Sequence, residues 1–104
     1  AIETWMRKLV EAIDMKILMG PYSVYSDMVG NRGLTAVTII ETSHIALHVW
    51  DECEPAMAQL DVYTCSTLNI QDVFDAIQPW NPTKVEYKYI DRENQLTLIE
   101  KNVI

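Results

Sequence analysis

The sequence predicts an α+β fold: a two-layer sandwich in which a mostly antiparallel sheet carries two helices on one face. Three observations predict it. Two stretches repeat apolar residues at three- and four-residue steps, the spacing of a helix with one buried stripe. Five or six others are rich in β-branched residues or alternate with a period of two, as half-buried strands do. Most successive strands are separated by short turns, which suit antiparallel neighbours. A chain of 104 residues, 49% hydrophobic and 22% charged, reads as one domain over 1–104 with a modest core and without wholesale disorder.

The first helix is read over Ala1 to Met15, where Ile2, Met6, Leu9, Val10 and Ile13 form the stripe and Glu3 suits the positive end of the helix dipole. Met15 to Met19 runs the helix end into a strand, and Gly20-Pro21 is expected to break regular structure. Tyr22 to Ser26 reads as a short strand, and Asp27 to Gly33, with Gly30, Asn31 and Gly33, as a loop or tight turn. Thr35, Val37, Thr38, Ile39 and Ile40 make Leu34 to Glu41 a strand. A second strand, His44 to Trp50, follows at once, so the Thr42–Ser43 bond lies at or near their junction. Asp51 to Ala56, with Pro55, is a loop, and Ala58 to Cys65 alternates as a strand. Asn69 is a plausible N-cap for a helix carrying Ile70, Val73, Phe74 and Ile77, ended by Pro79 and Pro82. Lys84 to Ile90 and Gln95 to Ile99 form a hairpin about a turn at Asp91 to Asn94.

The net charge of −7 disfavours nucleic acid, whose phosphates require Lys and Arg, and suits a cationic or zwitterionic small ligand better. Cys53 and Cys65 fit neither a zinc spacing nor a CxxC motif. No stretch reads as a signal peptide, and no apolar run approaches the roughly 20 residues of a membrane span. The expectation is therefore a cytoplasmic protein with free thiols.

The residues with chemical potential gather in Glu41 to Trp50. Ile45, Leu47 and Val49 share one strand face, leaving His44, Ala46, His48 and Trp50 on the other. That pattern also describes an ordinary amphipathic strand with a solvated face. A serine–histidine–acid hydrolase can be drawn from Ser43, the two histidines and the nearby Glu41, Glu52 and Asp61, but no nucleophile elbow accompanies them. His44 and His48, four residues apart on a strand, sit roughly 13 Å apart, too far to share a metal ion. No metal site is expected.

The run Glu41-Thr42-Ser43-His44-Ile45-Ala46-Leu47-His48-Val49-Trp50-Asp51-Glu52, followed by Asp61-Val62-Tyr63-Thr64-Cys65, resembles the prokaryotic S-adenosylmethionine decarboxylase proenzymes. Their signature is Glu-Ser-His-(Leu/Ile)-x-(Ile/Leu)-His-x-Trp-Pro-Glu and then Asp-Val-(Phe/Tyr)-Thr-Cys. Gly33-Leu34-Thr35-Ala36 resembles the family's Gly-Val-Ser-Gly, and a weaker match extends from about Gly30 to the final strand. The resemblance implies a pyruvoyl enzyme made by self-cleavage at Thr42–Ser43. Ser43 attacks the preceding carbonyl, the resulting ester eliminates, and a pyruvoyl group derived from Ser43 remains. Such a ketone forms a Schiff base with a substrate amine and accepts electrons as carbon dioxide leaves. By the same mapping His48 assists proton removal in self-cleavage and Thr35 supplies the processing hydroxyl. Cys65 returns a proton to the substrate carbon, while Trp50 and Glu52 contact the nucleoside, the ring by stacking and the carboxylate at the ribose. The implied substrate is S-adenosylmethionine, for polyamine synthesis, and the implied assembly is a homodimer with its site between protomers.

Three departures qualify the match. Thr42 stands where the family has Glu, with Glu41 displaced by one, and β-branching there is expected to slow or alter the acyl shift. Asp51 replaces the usual Pro in a slightly longer loop. The family's opening His-Leu-Leu-x-(Asp/Glu) strand has no counterpart, so the chain reads as N-terminally truncated, which would bare a strand edge. Two alternatives follow. One is a pyruvoyl decarboxylase of arginine or ornithine; the other is an unprocessed homologue acting as a dimerising or nucleoside-binding module. Taken singly, Ser43 also reads as a strand-junction hydroxyl, His48 as a satisfied sheet histidine, Cys65 as a small buried hydrophobe and Trp50 as packing; His44 and Cys53 read as structural or solvated.

Overall fold

The computed structural model describes residues 1–52, 54–64, 68–91 and 97–103. They form two compact units, Ala1–Leu68 and Asn69–Ile104.

In the first unit, helix α1 (Ile2–Ala12) precedes strands β1 (Ile17–Ser26), β2 (Gly33–Ile40), β3 (Ser43–Trp50) and β4 (Met57–Thr64), which pair in that order, every pair antiparallel. The α1 stripe is buried at Met6, Leu9, Val10 and Ile13, as are Ala36, Thr38, Ile40, Ile45 and Leu47 of β2 and β3. Thr38, the one buried polar residue among those described, donates its hydroxyl to the Met6 sulfur at 3.4 Å. This small polar bond lets a threonine serve in an apolar layer.

The helix ends earlier than its apolar stripe suggests. Asp14 takes a left-handed φ of 59°, its N–H bonds the Glu11 carbonyl, and the Met15 N–H reaches back to the Val10 carbonyl, both at 3.0 Å. This is a Schellman stop with aspartate where glycine is commoner. It turns the chain so that Met15 falls outside the helix.

The expectation that Gly20-Pro21 ends regular structure is corrected: β1 runs through it. The Gly20–Pro21 peptide is cis and Gly20 has φ 98°. The pairing with β2 slips between Ile17 and Met19 and again between Met19 and Tyr22. Proline is tolerated there because β1 is an edge strand of this sheet, where a missing N–H need not interrupt a ladder.

β2 and β3 join through a two-residue turn, Glu41–Thr42, since Ile40 pairs with Ser43. At the opposite end Gly33 pairs with Trp50, and a Cβ there would overlap the Val49 carbonyl oxygen. Only glycine allows that approach.

The second unit holds helix α2 (Ile70–Ile77), a 3₁₀ turn (Gln78–Trp80) and the antiparallel strands β5 (Glu86–Asp91) and β6 (Thr97–Val103). Asn69 caps α2 as expected, accepting from the Gln71 N–H at 3.1 Å. Phe74 of α2 meets Tyr87 of β5 edge-on, centroids 4.8 Å apart. None of the described residues in this unit is fully buried. The fold is α+β with antiparallel strands; the six strands among the described residues form a four-stranded and a two-stranded ladder. No helix among the described residues is long and apolar enough to cross a membrane.

Candidate active site

The two faces of β3 separate as its alternation predicts. Ile45 and Leu47 are fully buried on one side, while His44 and Ala46 are half-buried and His48 is exposed on the other. Strand pairing then decides which side chains meet.

Thr35 lies directly opposite His48, and Thr35 Oγ1 is 3.1 Å from His48 Nδ1. The His48 ring stacks on Trp50, with centroids 5.8 Å apart and planes 27° from parallel. The Trp50 indole N–H donates to Asn31 Oδ1 at 2.9 Å, which ties the ring to the loop between β1 and β2. Glu52 fixes the same loop: its carboxylate accepts the Arg32 N–H at 2.7 Å and the Gly30 N–H at 3.3 Å. Beside it, Asp51 accepts the Tyr25 hydroxyl at 2.7 Å and Arg32 Nε at 3.0 Å. The Tyr25 and Arg32 hydrogen bonds hold the Asp51 carboxyl below the usual range, and the same carboxylate raises the Tyr25 phenol and the Arg32 guanidinium. Four sequence candidates, Thr35, His48, Trp50 and Glu52, therefore gather at one end of the β2–β3 ladder. Tyr25, Asn31 and Arg32 complete the group. Nothing in the sequence singles them out beyond the turn-forming character of Gly30 and Asn31.

Thr42 and Ser43 lie at the other end. Ser43 opens β3, paired with Ile40 on one side and Thr64 of β4 on the other. The Thr64 hydroxyl donates to Thr42 Oγ1 at 2.8 Å, and the Thr42 hydroxyl donates to the Met15 sulfur at 3.1 Å. Cys65, the expected proton donor, and Cys53 lie outside the described residues.

Ser43 and His48 are five residues apart on one strand, about 16 Å at the strand rise. Their positions also have opposite parity, so their side chains belong to opposite faces. Within one chain the serine and the imidazole do not meet. Between them His44 faces Tyr63 edge-on at 5.5 Å and approaches Asp61 at 3.7 Å, a polar cross-strand cluster that suits its reading as structural.

A family model described as S-adenosylmethionine decarboxylase matches residues 1–93. An S-adenosylmethionine decarboxylase proenzyme of Pyrobaculum arsenaticum is 39% identical over 64 residues, 60% of this chain and 50% of the relative. One of Carboxydothermus hydrogenoformans is 35% identical over 52 residues, 50% of this chain and 33% of the relative. An arginine decarboxylase proenzyme of Aeropyrum pernix is 28% identical over 78 residues, 65% of this chain and 52% of the relative. The chain thus spans about half the length of most of these relatives. No solved structure matches.

Proposed function

The chain belongs to the S-adenosylmethionine decarboxylase family, and from that premise we propose that it is a cytoplasmic, pyruvoyl-dependent S-adenosylmethionine decarboxylase for polyamine synthesis, matured by cleaving its own Thr42–Ser43 bond. The observation that carries the reading is the Thr35–His48 hydroxyl–imidazole pair at 3.1 Å, on the stretch where the family's signature falls.

The chemistry follows from the residues. Ser43 Oγ attacks the Thr42 carbonyl, the Thr42–Ser43 C–N bond breaks, and an ester and a free Ser43 amine result. A base then removes the Ser43 Cα proton, and the ester C–O bond breaks with Thr42 leaving as a carboxylate. Water replaces the remaining nitrogen as ammonia, and Ser43 has become a pyruvoyl group. In the tautomer whose Nδ1–H donates to Thr35, His48 has its Nε2 lone pair for that proton transfer. The pyruvoyl ketone supplies an electron sink for decarboxylation. The site suits it, because Ser43 is held in register between β2 and β4 and carries the group as the first residue of a strand. Trp50 offers its ring to the adenine, and Glu52 retains lone pairs beyond those its two amide bonds use, enough to accept ribose hydroxyls. Cys65, next to Thr64, is the proton donor to product.

A homodimer is part of the proposal. Because Ser43 and His48 occupy opposite ends of the ladder, one protomer's serine needs its partner's imidazole. The sheet face that carries His48 also exposes Met19, Tyr22, Val24, Val37 and Ile39, an apolar surface fit to receive a second copy.

Mass spectrometry of the purified protein tests the cleavage. Fragments 1–42 and 43–104, the second blocked at its N-terminus by a ketone, are expected; a chain that stays intact on long incubation overturns the enzyme reading and leaves a dimerising or nucleoside-binding module. Mixing Ser43→Ala and His48→Ala chains tests the shared site. The His48→Ala chain should be cut in the mixture and not alone. The Aeropyrum relative motivates a second reading, a pyruvoyl decarboxylase of arginine; carbon dioxide release from the two substrates by processed protein separates them.

A further inference from the structure

Three elements converge on the Thr42 side chain: the stop of α1 brings Met15, the β2–β3 turn brings Thr42 itself, and the end of β4 brings Thr64. The Thr64 hydroxyl donates to Thr42 Oγ1 at 2.8 Å, and Thr42 passes its own proton on to the Met15 sulfur at 3.1 Å. All three residues are half-buried. A threonine hydroxyl has one proton to give, so accepting on one side and donating on the other fixes its χ1. In a β-branched residue χ1 is coupled to the backbone beside it. That backbone carries the carbonyl that Ser43 would attack.

We propose that Thr64 and Met15 are positioning residues for self-cleavage, orienting the Thr42 carbonyl toward Ser43 Oγ through the Thr42 hydroxyl. The inference rests on the self-cleavage reading and deepens it. The step is an N-to-O acyl shift. The Ser43 Oγ–Thr42 carbonyl bond forms, the peptide C–N bond breaks, and the serine proton ends on the released amine, with no other reactant. On this account the β-branched residue preceding the serine is not an obstacle to the shift. Held by the Met15 and Thr64 side chains, it presets the direction of attack, where small misplacements cost large factors in rate.

The test compares cleavage rates of the full chain, with hydroxylamine added to trap the ester. Thr64→Val should slow cleavage about 10- to 100-fold, and Thr64→Ser, which keeps the hydroxyl, should restore it to within about threefold. Met15→Leu should slow it about threefold to tenfold. Thr42→Val combined with Thr64→Val should be no slower than Thr42→Val alone, because both break one relay. Thermal midpoints of the same substitutions in a Ser43→Ala background, which cannot cleave, separate positioning from folding. Wild-type cleavage with Thr64→Val equally fast, or with rate losses that multiply in the double variant, overturns the proposal and leaves the self-cleavage reading standing. A wild-type chain that never cleaves overturns both. The relay also has a readout without cleavage: in Ser43→Ala protein, the ¹³C-labelled Met15 methyl resonance should move on Thr64→Val. A stationary resonance overturns the relay by itself.

Discussion

The two ends of the β2–β3 ladder are held by different kinds of bond. At the open end, the loops around Trp50 are tied by carboxylates: Glu52 to two backbone amides, Asp51 to a phenol and a guanidinium. Such charge-assisted bonds are short and directional, and they hold a ring and an imidazole in a fixed relation. At the turn end, Met15, Thr42 and Thr64 meet through neutral hydroxyl and sulfur contacts, which yield more easily. The contrast fits the work proposed for each. The end that must keep its shape is fastened firmly, and the end whose backbone is to be cut is guided by weak contacts.

The sharpest way to break this division is to disable one end and watch the other. Ser43→Ala should abolish cleavage completely while leaving Trp50 emission unchanged, because the described contacts of Trp50, to Asn31 and His48, do not reach the turn. Gly33→Ala should have the largest effect on stability, several kcal/mol in urea unfolding, since its Cβ has to displace the Val49 backbone; a midpoint near that of wild type would refute the close approach. Glu52→Ala should free the Gly30 and Arg32 amides, speeding their hydrogen exchange about tenfold or more, with a red shift of Trp50 emission; unchanged exchange would mean the loop is held by other contacts. The smallest effect concerns pH. Asp51 has its carboxyl held below the ordinary value of 3.8. Its tie to Tyr25 and Arg32 is therefore fully present above that value and weakens as pH falls through the lower folded-state pKa. The Arg32 Nε–H resonance, which reports the tie directly, should stay in place from neutral pH down to about pH 4 and move below it; a resonance that does not move below pH 4 would mean that the tie is not made.

Much of this was legible in the sequence where the signal is local. The stripe of Met6, Leu9, Val10 and Ile13, the Asn69 cap and the two faces of β3 all follow from spacing alone. Gly20-Pro21 was misleading because the rule for proline assumes a strand with partners on both sides, and β1 lies at an edge. Asn31, Arg32 and Tyr25 are not legible as site residues for another reason: their contacts with Trp50 and Asp51 join residues 19 to 26 positions apart, and no periodicity encodes such a pairing. The distance between Ser43 and His48 was within reach. The arithmetic that separates His44 from His48 separates Ser43 from His48 as well, and it is what leads to the proposal of a site shared between protomers.

On the proposed shared site, that separation would give maturation a kinetic order. If a chain cannot bring its own serine and imidazole together, newly made protein waits for an encounter, and the rate at which it ripens rises with the square of its concentration while monomers prevail. Diluted precursor would stay dormant, and the processed fraction in a sample would record how crowded its molecules had once been.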